Sequence, residues 1–323
     1  MEPSFPLLRL PENVIIEVIK NFPLSQLFKF SLISSKTKNL VSSLGLEASD
    51  VDINIWNTIK VAVRIGINSL DLYFYKDSND PNALMPVDVN IPVAPTCDYE
   101  DTRIQSTTPF NFSNWLNHIN SVFCLIKPPD VYITQGCARF EIELLRNAIG
   151  NANYLIVCAD VSNTCGKKIL KSFNTHNRLI LDRNPFEDTC QIQQIFINNF
   201  EMIIFYDVYS LDDMLSLLII FSRSVRLSKQ FNQFLKHWIR GFNPRLEDMS
   251  LSINKTDFVK GKVYLNGIKC IEMSEKTKRK MSENFFRPYF DDIIQIRRKD
   301  GTAAVIGTHK FEDILDIRFV VLH

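Results

Sequence analysis

The side chains best suited to catalysis are scattered along this sequence rather than grouped in a known motif. No H-E-x-x-H pair, G-x-S-x-G elbow or glycine-rich phosphate loop occurs, although each would hold a base, a nucleophile or backbone amides at a fixed spacing. Ten glycines in 323 residues also disfavour a nucleotide-binding loop. The five histidines are His118, His176, His237, His309 and His323. We predict no catalytic residue.

The neighbouring carboxylates Asp212 and Asp213 are the candidates for acid–base chemistry. Paired carboxylates must face each other, but adjacent residues of a helix point in different directions. Acidic residues are favoured in the first turn of a helix, where they interact with its positive end. Ser210 precedes them as an N-cap. The pair therefore indicates the start of a helix over Leu211–Phe221.

The seven cysteines carry no disulfide or metal signature. Their number is odd and none has C-x-x-C spacing, so neither a disulfide framework nor a zinc ribbon or RING is expected. No surrounding residue singles out one thiol as a nucleophile. We interpret most of the cysteines as small core residues and predict neither a metal nor a cofactor. They stand at positions 97, 124, 137, 158, 165, 190 and 270.

Composition excludes several classes of protein. Apolar residues make up 46% and charged residues 23% of the chain, as in ordinary globular proteins of one large or two medium domains. A formal net charge of +1 predicts no broad nucleic-acid footprint. The densest apolar stretch, Leu211–Phe221, is too short to span a bilayer, and Met1–Ser4 does not begin a signal peptide. We expect an intracellular protein of the cytoplasm, the nucleus or both.

The first 46 residues contain three short helical segments, separated by proline or serine. Leu10-Pro11 begins the first, Phe22-Pro23 separates the second, and Ser34-Ser35 opens the third. Proline suits a helix start because its missing N–H would have no helical partner there. The apolar positions of the first two helices include Ile15, Val18, Ile19, Phe22, Leu24, Leu27 and Phe28.

Residues 47–112 form a connecting region with a predicted strand at Leu70–Phe74. Within it, residues 76–110 hold five of the 14 prolines together with many Asp, Asn and Thr residues. Proline interrupts helical hydrogen bonding. We therefore predict a Pro-rich insertion at 76–110 that forms a long loop or is partly disordered.

Residues 113–253 alternate strand-like and helix-like segments. The predicted strands are Val131–Ile133, Tyr154–Val157, Leu179–Leu181, Met202–Phe205, Val225–Leu227 and Met249–Ile253. Helical stripes lie at 140–148, 169–173, 211–221 and 231–239, and Gly150 and Gly241 end the first and last of them.

The predicted strands recur at a nearly constant interval. One inward-facing residue of each gives separations of 24, 24, 24, 22 and 24. These residues are Val131, Leu155, Leu179, Ile203, Val225 and Met249. A unit of about 24 residues lies in the leucine-rich-repeat range, and such units bury their apolar faces only by stacking. We predict an α/β fold with a leucine-rich-repeat-like solenoid. The L-x-x-L-x-L-x-x-N signature is absent, and a less regular α/β layer is the alternative.

Residues 254–323 break this rhythm. Asp291–Arg298 and Thr302–His309 flank Lys299-Asp300-Gly301, and Asp-Gly between apolar runs predicts a β-hairpin. Ile314–Leu322 is expected to form a last strand. We predict that this part is a cap with a β-hairpin that closes the final repeat.

Two parts of the sequence resemble known domains. Phe5–Leu46, "FPLLRLPENVIIEVIKNFPLSQLFKFSLISSKTKNLVSSLGL", resembles an F-box, with its LPxxV start and "LSxxSKxxxxLV"-like end. "QQIFINNFEMIIFYDVYSLDDMLSLL", "NQFLKHWIRGFNPRLEDMSLSI" and "IQIRRKDGTAAVI" resemble the type 2 F-box-associated domain of nematode F-box proteins. This order of domains covers most of the chain outside the insertion.

The F-box resemblance implies a protein partner. An F-box buries apolar side chains against the Skp adaptor of a cullin ubiquitin ligase and performs no chemistry. The positions that match this role are Leu10, Pro11, Val14, Ile15, Val18, Leu24, Leu27, Phe30 and Leu32. The alternative is that several of them, such as Ile15 and Val18, form the core of the small domain.

The remaining domain is expected to bind a target. Alternation along each strand sends the neighbours of the inward residues to the open face of the sheet. Tyr and Arg are enriched at binding hot spots, so the candidates are Tyr132, Arg178, Tyr206 and Arg226. The alternative is a solvated or covered face.

These observations predict the substrate-recognition subunit of a Skp–cullin–F-box ubiquitin ligase. Its expected partners are a Skp-type adaptor, through it a cullin, and an unknown protein substrate. One alternative is an adaptor-binding or free-standing interaction module without ligase activity. An enzyme on an α/β scaffold is a third hypothesis, and it would require a deep pocket with converging titratable groups.

Overall fold

The structure is a computed structural model. It describes residues 7–76, 86–97, 100–173, 177–183, 185, 201–205, 227–254, 265–285, 290, 292–311 and 314–322. The chain divides into two compact units, Met1–Asn153 (unit 1) and Tyr154–His323 (unit 2). The helix predicted at Leu211–Phe221 lies outside the described residues.

Unit 1 begins with three short helices, as the sequence predicted. Pro11 and Pro23 stand at the N-caps of the first two helices. The third begins with a capping box, in which Ser34 and Thr37 each accept the other's backbone N–H. The helices of unit 1 are α1 (Glu12–Ile19), α2 (Leu24–Ser31), α3 (Ser35–Ser42), α4 (Phe112–Val122) and α5 (Ile142–Ile149).

A mixed sheet forms the other layer of unit 1. Its strands are β1 (Asp50–Ile55), β2 (Ile59–Ile65), β3 (Asn68–Phe74), β4 (Thr96–Cys97), β5 (Glu100–Arg103) and β6 (Asp130–Ile133). Strands β1 to β5 pair antiparallel in chain order, and β6 pairs parallel with β1. The predicted strand at Leu70–Phe74 is therefore confirmed as part of β3.

The core of unit 1 lies between this sheet and its helices. Ile53 and Val61 are fully buried partners on β1 and β2. Phe74 at the end of β3 makes an edge-to-face contact with Trp115 of α4, with 6.3 Å between ring centroids. Burial of apolar side chains from both layers is the main stabilising contribution.

Two described parts of the Pro-rich segment form strands. Described residues in it form β4 and β5, which extend the sheet from β3. Val89 and Ile104 are buried, and Trp115 donates its indole N–H to the carbonyl of Val93 at 2.7 Å. The prediction of a long loop is therefore corrected only at β4 and β5, since most other described residues of 86–110 lie outside helices and strands. Neither strand contains a proline, so the prolines of this segment do not interrupt the pairing.

Unit 2 also contains a mixed sheet. Its strands are β7 (Tyr154–Val157), β8 (Arg178–Leu181), β9 (Met202–Phe205), β10 (Asp248–Asn254), β11 (Asp292–Arg297), β12 (Ala303–Phe311) and β13 (Ile314–Leu322), and its described helices are α6 (Asn163–Ser172), α7 (Leu227–Ile239) and α8 (Glu275–Phe285). Strands β7 to β10 are parallel, and β13, β12 and β11 continue antiparallel from β10. The strand predictions at Tyr154–Val157 and Met202–Phe205 match these bounds.

The 24-residue spacing holds across three strands of unit 2. Leu155, Leu179 and Ile203 are direct partners on β7, β8 and β9. The next predicted repeat is wrong, because Ile203 pairs directly with Met249 of β10. Leu227, predicted to end a strand at Val225–Leu227, instead begins α7. A continuous solenoid is therefore not established.

The predicted C-terminal hairpin is present as β11 and β12. Gly301 in its turn has φ 94°, a left-handed conformation that glycine adopts without steric cost. The last strand, β13, pairs with both β12 and β10. These strands thus extend the parallel sheet, and their role as a cap for repeats remains a prediction.

Helix α7 packs on the face of this sheet that carries the core. Trp238 and Phe234 make edge-to-face contacts with Phe319 of β13, with centroid separations of 5.0 and 5.7 Å. Trp238, Leu235 and Phe234 are buried, as their helical spacing predicted.

We expect Gly136→Ala to lower the free energy of unfolding by about 2–5 kcal/mol. Gly136 has φ 91°, and an added Cβ would lie 2.9 Å from the backbone nitrogen of Asn57. Left-handed backbone costs about 1–2 kcal/mol and overpacking about 1–3 kcal/mol. The control Gly66→Ala, with φ 57° and no atom within 4 Å, should cost only about 1 kcal/mol. Equal losses in chemical denaturation would contradict the close approach.

Candidate binding sites

Helix α1 presents two different apolar faces. Ile15 and Ile19 are fully buried, whereas Val14 and Val18 are 39% and 38% exposed. Pro11 is also exposed and lies three residues before Val14. Residues spaced by three or four positions share one face of a helix. Pro11, Val14 and Val18 therefore form one exposed apolar stripe, here called the α1 face.

The nine predicted adaptor contacts divide by burial. Ile15, Leu24, Leu27 and Leu32 lie in the core, and Leu32 follows the last residue of α2. The remaining five are exposed or half-buried: Leu10, Pro11, Val14, Val18 and Phe30. Only this second group is accessible to a partner.

Two exposed apolar residues of the N-terminal helical segment were missed by the sequence reasoning. Leu8 and Ile33 are 40% and 53% exposed. Phe22 and Phe30, both half-buried, form an edge-to-face pair at 6.3 Å between ring centroids. Leu8 and Ile33 belong to short or terminal segments, where helical periodicity gives no signal.

An aromatic cluster holds the three N-terminal helices against the rest of unit 1. Phe28 of α2 is fully buried and stacks on Phe123 at 6.1 Å. Its ring also lies 6.0 Å from that of Trp115 and 5.7 Å from that of His118. Because Trp115 and His118 lie on α4, this cluster joins the two parts of the chain.

A hydrogen-bond chain crosses the same contact. Ser31 at the end of α2 donates its hydroxyl proton to the carbonyl of Phe28 at 2.7 Å. Its oxygen lies 2.8 Å from His118 Nε2. In the tautomer that carries its proton on Nε2, His118 donates this second bond while the Ser31 hydroxyl donates to Phe28. On α3, Ser42 donates to the carbonyl of Ser121 at 2.9 Å.

Burial keeps the imidazole of His118 neutral. The side chain is 7% exposed, and desolvation, together with the smaller effect of the Lys38 cation, lowers its pKa from 6.5 to about 4. A neutral imidazole suits an apolar cluster because a buried cation without a partner is costly.

Two of the four predicted target-binding residues are described, one in each unit. Tyr132 lies on β6 of unit 1 and Arg178 on β8 of unit 2. Tyr206 and Arg226 lie outside the described residues. Tyr132 and Arg178 are half-buried, which agrees with the alternation expected along their strands.

Arg178 belongs to a polar cluster at one end of the parallel strands. Its guanidinium donates to the hydroxyl of Tyr154 and lies 4.7 Å from the centroid of that ring. Glu201 approaches Arg178 at 3.7 Å and Arg245 at 3.4 Å. Arg245 also donates to Asn177 at 3.3 Å. The cluster holds two cations and one carboxylate at a partly exposed surface.

The same face of the unit 2 sheet is covered further along. Asp248, in register with Met202 and Arg178, forms an ion pair with Arg318 at 2.6 Å. Beyond it, Val305 and Val320 are buried in a cluster with Met273, against which Met281 of α8 packs. Accessible positions on this face therefore lie towards β7, β8 and β9.

Chemistry at titratable side chains is weakly supported. Burial, reinforced by Asp182 and Asp160, raises the pKa of the Cys158 thiol to about 11, so little nucleophilic thiolate forms at neutral pH. Among the described residues, no group of three or more His, Cys, Asp or Glu side chains has the geometry of a metal site. Within the same residues, no helix is both long and apolar enough to cross a membrane.

Comparison with known families identifies two domains. The family model for the F-box domain matches residues 7–48, and the model described as F-box associated matches residues 191–251. The chain thus carries an F-box domain and a type 2 F-box-associated domain, the pair typical of nematode F-box proteins. The resemblance noted in the sequence is confirmed. Comparison with curated proteins and with solved structures found no match.

The two matches bear differently on the described structure. The F-box match spans α1, α2 and α3, including the α1 face. The F-box-associated match includes β9, α7 and the first strand residues of β10. These domains are typically non-catalytic adaptor components, and the F-box implies a Skp-type partner.

Replacing His118 by Gln should reduce the pH dependence of stability. Because folding lowers the His118 pKa, this imidazole is protonated below pH 6.5 in the unfolded chain but stays neutral down to about pH 4 in the folded chain. The contribution of neutral His118 to the free energy of unfolding is fully present above pH 6.5 and is lost as the pH falls towards 4. Between pH 7.5 and 5.5 the wild type should lose about 1 kcal/mol through this group.

Chemical denaturation at both pH values measures this effect. His237→Gln is the control, since it leaves the buried imidazole in place and should retain the wild-type slope. If the free energy of unfolding of His118→Gln changed with pH as it does in the wild type, the buried imidazole would not be the source of this pH dependence.

Proposed function

We propose that this protein is the substrate-recognition subunit of a Skp–cullin–F-box ubiquitin ligase. The observation that carries the proposal is the F-box match over residues 7–48, together with the exposed α1 face inside it. The protein itself supplies no catalytic residue. It holds a target near the ubiquitin-charged enzyme that the cullin recruits.

The α1 face supplies the centre of the adaptor contact. Val14 and Val18 are two of the few large apolar side chains exposed in the described part of unit 1. Full burial of an exposed side chain of this size contributes about 1.5–3 kcal/mol, of which the 39% and 38% exposed parts of Val14 and Val18 supply a proportionate share. Leu10, Pro11 and Phe30 complete the contact, whereas Ile15, Leu24, Leu27 and Leu32 support it from the core.

Through unit 1, adaptor binding would fix the position of the rest of the chain relative to the ligase. The contacts of Phe28 and Ser31 with α4 hold the F-box helices against the rest of the unit. A target bound to this chain would then remain within a restricted volume near the reacting enzyme. Such confinement raises the effective concentration of the reactants and needs no reactive side chain here.

We assign target recognition to the strand–helix repeat domain, residues 113–253, which includes the F-box-associated match at 191–251. Half-exposed Arg178 and Arg245 offer directed donors at the amino ends of the parallel strands. Arginine is enriched at binding hot spots because it combines contact area with several donors. Tyr132, Tyr206 and Arg226 remain candidates from their position in the sequence.

We retain the domain limits as a proposal. They are 1–46 for the F-box, 47–112 for the connecting region, 113–253 for the strand–helix repeats and 254–323 for the C-terminal cap. We now propose strand–helix repeats only for β7, β8 and β9, whose directly paired residues are 24 positions apart in the sequence. We place the protein in the cytoplasm or nucleus, where its cullin partner would act.

Val14→Asp/Val18→Asp should lower adaptor affinity by about 100-fold or more, equivalent to about 3 kcal/mol. Both side chains are exposed, so the protein should fold, but the interface would bury two uncompensated carboxylates. The full-length chain would be co-expressed with a Skp-type adaptor, and binding measured by size-exclusion chromatography and calorimetry.

The control is Ile67→Asp, an apolar-to-acidic change at a fully exposed turn residue of unit 1. It should bind the adaptor like the wild type. Wild-type protein that is folded but forms no adaptor complex would refute the proposal. Adaptor binding without co-purification of cullin would instead support an interaction module without ligase activity.

A further inference from the structure

A groove in unit 1, separate from the α1 face, has the features of a peptide-binding site. It encloses about 390 Å³, and its floor is formed by Val51 and Ile53 of β1 and Ile119 of α4. These three side chains are at most 6% exposed. A volume of this size is typical of sites that enclose a ligand or an anchoring side chain. The floor therefore suits an aliphatic group.

The rim of the groove carries side-chain amides. Asn117 and Asn120 lie three residues apart on α4, and Asn151 follows the end of α5. All three are exposed, and their amides make no hydrogen bond to the described part of the chain. An amide side chain offers both donors and an acceptor. Such groups match the N–H and C=O of a peptide main chain.

The charge of the groove also limits its occupant. Lys127 is the charged residue of the lining, and its ammonium lies 2.6 Å from the carboxylate of Asp50. This ion pair lowers the pKa of Asp50 and compensates the cation. The lining thus presents no uncompensated charge, so an acidic or basic segment would be desolvated without a partner.

The loop from α4 to β6 provides a fixed wall. Ile126 is 69% exposed at the rim, and Pro128 and Pro129 follow it. Proline fixes φ and has no N–H, so this wall is restrained before a ligand arrives. Restraint of this kind lowers the entropic cost of binding.

The geometry points to a binding site for an extended, uncharged peptide segment with one aliphatic anchor residue. The anchor fills the space above Ile53 and Ile119, and the three Asn amides bond to the peptide main chain on either side. That this segment comes from a ubiquitination target rests on the proposed function. Peptide binding itself does not require the adaptor.

The test uses the full-length chain and fluorescein-labelled peptide pools. The pools consist of short peptides randomised over Ser, Gln and Ala, with a central residue fixed as Leu, Ala, Glu or Lys. Fluorescence anisotropy should show the Leu pool binding about tenfold tighter than the Ala, Glu or Lys pools, since an aliphatic side chain is buried only in the first.

Two tryptophan variants of α5 locate the site. Ala148→Trp should fill the groove and weaken the Leu pool at least about tenfold. Asn147→Trp, on the adjacent exposed position outside the lining, should leave binding unchanged. Asn117→Ala/Asn120→Ala should weaken the Leu pool while retaining its preference over the Ala pool. Circular dichroism checks that each variant is folded.

Several results would overturn the inference. These are equal binding of the Leu and Ala pools, tighter binding of a charged pool, no binding of any pool, or no effect of Ala148→Trp. If these occur while the adaptor still binds, the groove proposal fails and the proposed function stands. If the adaptor does not bind but the Leu pool binds and is lost in Ala148→Trp, the proposed function fails and the groove proposal stands.

Discussion

The packing of Phe28 against α4 is the interaction on which the use of the F-box helices depends. Three eight-residue helices cannot bury enough apolar surface to be stable alone. The ring of Phe28 places their core against Trp115 and Phe123, which belong to a segment about 90 positions later in the chain. The small domain is thereby completed by residues outside its own sequence.

This constraint explains why α1 can leave apolar side chains exposed. The core needs only Ile15 and Ile19 from α1, since α2 and α4 supply its larger side chains. Val14 and Val18 are then free for a partner without loss of internal packing. The hydrogen bond between Ser31 and His118 fixes the orientation of α2 on α4, and hence the direction of the adjoining exposed face. Positioning, rather than reactivity, is the property that this arrangement supplies.

Local sequence patterns predicted much of the fold but not its long-range pairings. Tyr154–Val157 and Met202–Phe205 could be placed because alternation and apolar content agree over four residues. Val225–Leu227 is only three residues long and alternates apolar, polar and apolar side chains. Such a short pattern occurs both in strands and at the start of helices. The strands β4 and β5 depend on the exposed edge of β3, a non-local partner that composition does not reveal.

The candidate sites show the same difference between what local sequence patterns predict and what depends on long-range packing. Helical spacing identified the α1 residues, but distinguishing Val14 from Ile15 requires knowing which face of α1 packs against the other helices, α3 among them. The Asn-rimmed groove gave no sequence signal, because Asn117, Asn120 and Asn151 come together only when α4 and α5 pack beside β1. Residues of the F-box-associated match were recognisable as a motif, whereas Arg178 with Glu201 and Arg245 is a cluster that only the strand register assembles.

Native-state hydrogen exchange, read by mass spectrometry at increasing denaturant, tests most directly whether the F-box helices and α4 form one cooperative unit. The account predicts that amides of Leu24–Ser31 and Phe112–Val122 open with the same free energy, and that Phe28→Ala lowers both together by about 3–5 kcal/mol. Separate opening of α1, α2 and α3 at lower free energy, with α4 still protected, would contradict it.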